Sequence, residues 1–317
     1  RRSPSPIPPV ARFDGPHCRI SGFVAHGTSI LAMPCSTKAD SAFPVFDTMT
    51  LALSLCAHPN GQKTWSRPVS ASVAGKLYMM VGSMVCALGA PPRRCGVLDE
   101  GTPRSWTVGA APLESARIVS YAAHPDGRTL FVSGGESSFC LDTESESLGW
   151  TCQGKWVMPF KGQAYYDGEL DAWVGLCRYK GGVGYLCSCD VPPAVAAATG
   201  GGGMPAWKLG KDKLFSPYNE NERHLGAILL HLGNSDYCLI ESLVHKDDCL
   251  SYVHGNPDWP FERCRVQRRR VFYMTRFGLK YDKNGELRTT RLRARSYGVT
   301  EGHVFNEIHS NPVAFWM

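Results

Sequence analysis

Twelve residues, HPDGRTLFVSGG from His124 to Gly135, run from a tight polar turn into an apolar strand and two glycines. The same plan recurs in AHGTSILAM (Ala25–Met33), VAGKLYMMVG (Val73–Gly82) and YDGELDAWVGLC (Tyr166–Cys177). Each copy carries a turn glycine before the strand: Gly27, Gly75, Gly127 and Gly168. Glycine suits these places because tight hairpin turns need a positive φ, which it adopts at little steric cost. The four glycines are 48, 52 and 41 residues apart. A second landmark, a short strand ending in aspartate, follows at Asp47, Asp99, Asp142, Asp190 and Asp282. Its spacings are 52, 43, 48 and 92 residues, the last as if one copy had lost its aspartate. A third landmark is a tryptophan downstream: Trp65, Trp106, Trp150 and Trp207.

A period of roughly 40–50 residues with this order of turn, strand, turn and aromatic points to blades of four short antiparallel strands. Period-2 alternation of apolar residues is common and helical periodicity is nearly absent. One blade cannot bury both faces of its sheet, and stacking blades in series does so. The expected fold is all-β, a β-propeller of four-stranded antiparallel blades. Five blades are counted directly and a sixth is allowed. LGAILLHLG and DYCLIESLVH read as the inner strands of a further blade, followed by a long polar insertion at 246–263 and a hairpin. Asn284-Gly285 in that hairpin is a type I′ turn signal. The propeller is expected to span residues 18–300. Residues 1–17 form a mobile proline-rich arm, and residues 301–317 a tail that packs on or closes the ring.

The order of turn glycine, aspartate turn and tryptophan resembles kelch repeats, the galactose-oxidase-type β-propeller. The divergent kelch-like propellers of plants, often joined to an F-box, are the nearest likeness. The paired glycines of a kelch blade are clear at Gly134-Gly135. WD40 repeats are the nearest rival, but no Trp-Asp dipeptide occurs in the chain. The resemblance implies a protein-binding module. It would be the substrate-recognition part of an F-box-type ubiquitin-ligase receptor or a stand-alone relative. The ligase part comes from the resemblance alone, because no F-box helix pattern precedes Cys18.

Hydrophobic residues make up 43% of the 317, enough for a large core. No run of about 18 apolar residues is present, so no membrane span is expected. The 13 cysteines are odd in number and scattered through strand-like runs such as SSFCLD and VGLCRY. That usage suits reduced, buried cysteines and a cytoplasmic or nuclear setting. The first residue is arginine, so the lack of a signal peptide carries no weight.

Charge is concentrated late in the chain. Residues 263–295 hold twelve Arg or Lys and two acids, although the whole chain is only +6. In RTTRLRARSY, Arg291, Arg293 and Arg295 alternate with apolar residues, which places them on one face of a strand. Two readings stand: a docking face for an acidic protein or nucleic acid, or an outer strand that charge protects from edge pairing. No recognisable nucleic-acid module accompanies the charge, which favours the outer-strand reading. The expected contacts are Trp259 and Phe261, in the proline-bounded loop HGNPDWPFERC, with Arg268, Arg269 and Arg270 beside them. His245, Cys249, His254 and Cys264 are four zinc-type ligands within 20 residues, but their spacing matches no standard finger. They stand only as candidates, and neither metal nor cofactor is expected. The motifs of zinc proteases, serine hydrolases and P-loops are missing. The expected protein is therefore a monomeric binding module with no catalytic residues. A propeller hydrolase or oxidase with an axial site is the alternative, and a basic nucleic-acid binder a third.

Overall fold

The computed structural model describes residues 20–34, 42–57, 59, 69–89, 106–145, 148–194, 203–217, 222–245, 269–300 and 312–316. They contain twenty strands in five antiparallel sets of four. The first set is β1 (Ile20–His26), β2 (Ser29–Pro34), β3 (Phe43–Asp47) and β4 (Leu53–Cys56). The second is β5 (Val69–Val73), β6 (Lys76–Val81), β7 (Met84–Leu88) and β8 (Thr107–Ala110). The third is β9 (Ile118–Ala123), β10 (Thr129–Gly134), β11 (Ser137–Asp142) and β12 (Trp150–Gly154). The fourth is β13 (Gly162–Asp167), β14 (Ala172–Leu176), β15 (Tyr185–Cys189) and β16 (Trp207–Lys213). The fifth is β17 (Glu222–Gly233), β18 (Asp236–His245), β19 (Arg269–Tyr281) and β20 (Leu287–Thr300). Helix is limited to two 3-10 turns among the described residues, and none is long and apolar enough to cross a membrane. The fold is all-β, made of four-stranded antiparallel blades of the β-propeller kind.

Each sequence landmark falls at one place in the blade. Among the described residues the turn glycines join first and second strands, Asp47, Asp142, Asp190 and Asp282 close third strands, and Trp106, Trp150 and Trp207 lead into fourth strands, while Asp99 lies outside the described residues. Gly27, Gly75 and Gly127 have positive φ. Gly168 does not, and Asp171 takes the left-handed conformation in that turn. The aspartates act through their side chains. Asp47 Oδ1 accepts from the N–H groups of Met49 and Thr50 at 3.0 and 2.8 Å. Asp142 Oδ1 accepts from Glu144 N–H at 3.0 Å.

The chain divides into two compact bodies. One comprises Phe13–Val183 with Cys187–Lys208, the other Gly184–Leu186 with Leu209–Trp316. In the first body the core lies between facing blades. Val24, Leu31, Met33, Phe43 and Val45 meet Leu77, Met79 and Val81. The alternate residues Tyr78 and Met80 meet Leu130 and Val132 on the other side. Blade two is thus buried on both faces, which explains its nearly unbroken apolar run. Trp106 packs on the first of these clusters and Trp150 on the second. Trp207 packs on the third cluster, which holds Phe131, Trp173, Cys177, Cys187 and Cys189. These tryptophans serve inter-blade packing, and the Cys187/Cys189 pair does the same. Trp65 lies outside the described residues. First strands of successive blades are neighbours: β9 pairs parallel to β13 from Ser120↔Gly162 to Ala122↔Ala164, and His26 Nδ1 on β1 lies 3.4 Å from Ser72 Oγ on β5.

The second body holds the fifth blade, whose strands run to 10–14 residues against 4–7 elsewhere. The surplus extends the sheet by roughly 20 Å. The 92-residue aspartate gap is therefore one stretched blade with an insertion between β18 and β19, not a lost copy. The Asn284-Gly285 turn also departs from expectation. Tyr281 pairs with Leu287, leaving a five-residue loop. Only Gly285 there has positive φ, and Asp282 Oδ1 accepts from Asn284 and Glu286 N–H at 2.8 and 3.0 Å. A type I′ turn needs positive φ at both central residues. Here the aspartate side chain organises the loop instead.

Candidate functional site

The basic segment of the sequence becomes the outer hairpin of the fifth blade. Pairing of β19 with β20 sets Arg276 against Arg293, Met274 against Arg295, and Phe272 against Tyr297. Side chains two apart share a face, so Arg276, Arg293, Arg295, Met274, Phe272 and Tyr297 lie on one surface. Arg276, Arg293, Arg295 and Met274 are exposed. β20 is the last strand of its sheet, and its outer edge has no strand partner among the described residues.

The arginines divide by what they touch. Asp236, at the start of β18, bridges two of them: Arg276 Nη2 donates at 3.0 Å and Arg291 Nη2 at 2.6 Å. Arg288 faces Asp282, Glu286 and Asp212 at 3.5–3.6 Å. The side chains of Arg293 and Arg295 have no hydrogen bond or ion pair among the described residues. Arg291 also breaks the expected alternation. Its φ is +53°, and the register shifts between Arg276 and Gly278. This bulge re-aims Arg291, whose guanidinium lies over Gly278. A Cβ at Gly278 would stand 2.6 Å from Arg291 Nη2 and 2.7 Å from Thr290 Oγ1. The run of three arginines is thus one structural clamp and two open cations. A like-charged cross-strand pair destabilises a sheet, so Arg276 opposite Arg293 is relieved by an anion beside it, a part that Asp236 fills for Arg276 alone.

The residues expected to make contact are not brought into view. Trp259, Phe261 and Arg268 lie outside the described residues. Arg269 and Arg270 begin β19, opposite Thr300 and Val299, but their side chains are not described. Cys249, His254 and Cys264 are likewise outside, and His245 ends β18 with its side chain not described. Among the described residues no group of three or more His, Cys, Asp or Glu could hold a metal ion. Asp236 and Gly278 escaped the sequence reading. Asp236 could have been found only by knowing that β18 pairs with β19 across an insertion.

The same body holds a serine, a histidine and a buried acid. Glu241 is fully buried. Its carboxylate accepts from Ser216 N–H at 3.1–3.2 Å and from Ser216 Oγ at 3.1 Å. His224 Nε2 is 3.5 Å from Glu241 Oε1, and the His224 ring stacks on Phe215. The serine hydroxyl is given to the carboxylate, not to the imidazole, so this is a clamp on the 214–217 segment and not a nucleophile–base pair. In the first body, the Cys187 thiol beside Cys177 holds the Cys177 sulfur down at about 6 against the effect of burial, helped by Tyr179 N–H and Arg178. Burial pushes the Cys187 thiol up. Both sulfurs are buried within the third core cluster. Burial also pushes the Tyr121 phenol up to about 12, and raises its neighbour Tyr165.

A family model described as "Protein of unknown function (DUF1668)" matches residues 1–297. No curated protein matches the chain. Among solved structures the chain is similar to YjhT at 12% identity and a TM-score of 0.44, covering 89% of this chain and 98% of that one. It is similar to a functionally unknown protein from Desulfotomaculum acetoxidans at 8% identity and a TM-score of 0.40, covering 83% and 79%. The β-propeller domain of Cps50 (Swd1) from Myceliophteria thermophila follows at 8% identity and 0.35, covering 83% and 94%.

Proposed function

The chain belongs to the DUF1668 family, and we propose that it is a protein-interaction module, not an enzyme, that holds an acidic extended segment of a partner against the outer strand of its fifth blade. One observation carries this reading: Arg293 and Arg295 stand exposed, with no side-chain partner among the described residues, on a strand whose outer edge no described strand covers, flanked by Met274, Phe272 and Tyr297. An extended segment added to β20 gains main-chain hydrogen bonds, while carboxylates at alternate positions meet the two arginines. Rigid blades supply the platform. By the kelch-like resemblance, the held segment belongs to a substrate of an F-box-type ubiquitin ligase, or to the partner of a stand-alone relative. Co-purification of the ligase adaptor with the full-length protein separates these two.

The test is fluorescence anisotropy with a labelled peptide of alternating glutamate and valine. Arg293→Glu/Arg295→Glu is expected to weaken binding by about tenfold or more. Equal binding by the variant and the parent overturns the reading. Tight, salt-steep binding of a mixed-sequence DNA duplex with no peptide binding replaces it with the nucleic-acid reading. Absence of both leaves the arginines as charge that keeps the β20 edge from pairing.

A further inference from the structure

Blade one ends in a different kind of edge. Met49, Leu51, Leu53 and Leu55 are 77%, 62%, 68% and 72% exposed, a concentration of large apolar side chains within seven residues. Leu53 and Leu55 share a face of β4, and β4 is the terminal strand of its sheet among the described residues. That face is the one away from the core: Cys56 packs into the first cluster with Phe43 and Val45, while Leu53 and Leu55 pair with Phe46 and Pro44. Leu51 adopts a φ of +59°, a conformation that costs a residue with a branched side chain about 1 kcal/mol or more. The turn bears that cost at an exposed leucine. Contiguous exposed apolar surface of this kind marks an interaction site.

We propose that β4 pairs with β4 of a second copy of this chain. Three observations select that occupant. First, no Asp, Glu, Lys or Arg occurs from Thr48 to Gln62. Two copies of a chain of net charge +6 can meet here without like charge opposing like, whereas β20 would set arginine against arginine. Second, natural edges are guarded by charge or proline, and the described strand β4 has neither. Third, the edge is self-complementary. With a two-fold axis at Ser54, antiparallel pairing sets Leu53 of each copy against Leu55 of the other. The four leucines then form one apolar layer, with Met49 and Leu51 flanking it. The contact is isologous and closes as a dimer. It departs from the monomer expected from the repeat alone and does not rest on the function proposed for β20.

Sedimentation velocity on the full chain, from about 1 to about 100 µM, tests it. The expected result is a reversible monomer–dimer equilibrium, with Leu53→Asp/Leu55→Asp weakening association by about tenfold or more. These side chains are exposed, so the variant keeps the fold. A second variant tests the register. Opposed residues in an antiparallel pair lie about 4.5–5.5 Å apart at Cα, within disulfide range. Ser54→Cys should therefore give a covalent dimer under mild oxidation by diamide, with position 54 of one copy joined to position 54 of the other in the peptide map. A monomer at every concentration overturns the proposal and assigns the patch to another protein or to the chain's own remaining segments. A dimer indifferent to Leu53→Asp/Leu55→Asp, or a link joining 54 elsewhere, overturns it too.

Discussion

Asp126 shows how one side chain sets a turn. Partial burial works against its charge, yet the Thr129 hydroxyl, the N–H groups of Arg128 and Thr129, and the His124 ring hold the carboxyl down at about 2. The Thr129 hydroxyl donates at 2.6 Å and the two N–H groups at 2.9 Å. The folded value lies below the unfolded 3.8. Its stabilisation is therefore present above about pH 4 and is lost as pH falls from there toward 2. Asp126→Asn is expected to lower stability by about 2 kcal/mol at pH 7. The deficit should shrink to nothing near pH 2. Urea unfolding of both proteins across that range checks it. The residue was legible in sequence as part of a Pro-Asp-Gly turn. Its hydrogen bond to Thr129 stays within the same local segment.

At the scale of the element, glycines that look alike in the repeat do different work. Gly134 closes β10 where the Arg117 carbonyl approaches, and a Cβ there would collide with that backbone oxygen. Gly168 has no positive φ and nothing closer than 3.9 Å. Gly134→Ala is expected to destabilise by about 2 kcal/mol or more, and Gly168→Ala to be neutral within about 0.5 kcal/mol. Thermal unfolding of the two variants measures the contrast. The sequence marks Gly168 as a turn glycine and Gly134 as one of a pair after a strand, with no sign of which one the fold requires. It cannot distinguish them, because the Arg117 carbonyl arrives from the preceding turn. The Arg291 bulge has the same character. Period 2 placed Arg291, Arg293 and Arg295 together, and one extra residue in β20 turned the first of them toward Asp236.

At the scale of the whole molecule, the chain carries two sheet edges of opposite chemistry. β20 is lined with arginine and β4 with leucine. Ionic strength separates them. Binding of the acidic peptide is expected to weaken by roughly tenfold between low and high salt, since exposed charges are screened. Pairing through β4 should hold or strengthen over the same range. Parallel anisotropy and sedimentation titrations in sodium chloride test both. If the two responses move together, one surface serves both events and the assignment of separate edges fails.

The repeat was readable from residues alone because its signals are local. Turn glycines, strand-ending aspartates and period-2 apolar runs act within a few residues, so blade plan and landmark order followed from them. The basic segment was also visible, as was the exceptional last blade. Partnership was not visible, because it depends on which strands lie side by side. Asp236 reaches Arg276 and Arg291 only through the β18–β19–β20 pairing, across separations of 40 and 55 residues. Nothing in the repeat singles out Leu53 and Leu55. Only the tertiary structure set β4 at the end of its sheet, where the same residues face outward instead of into a core.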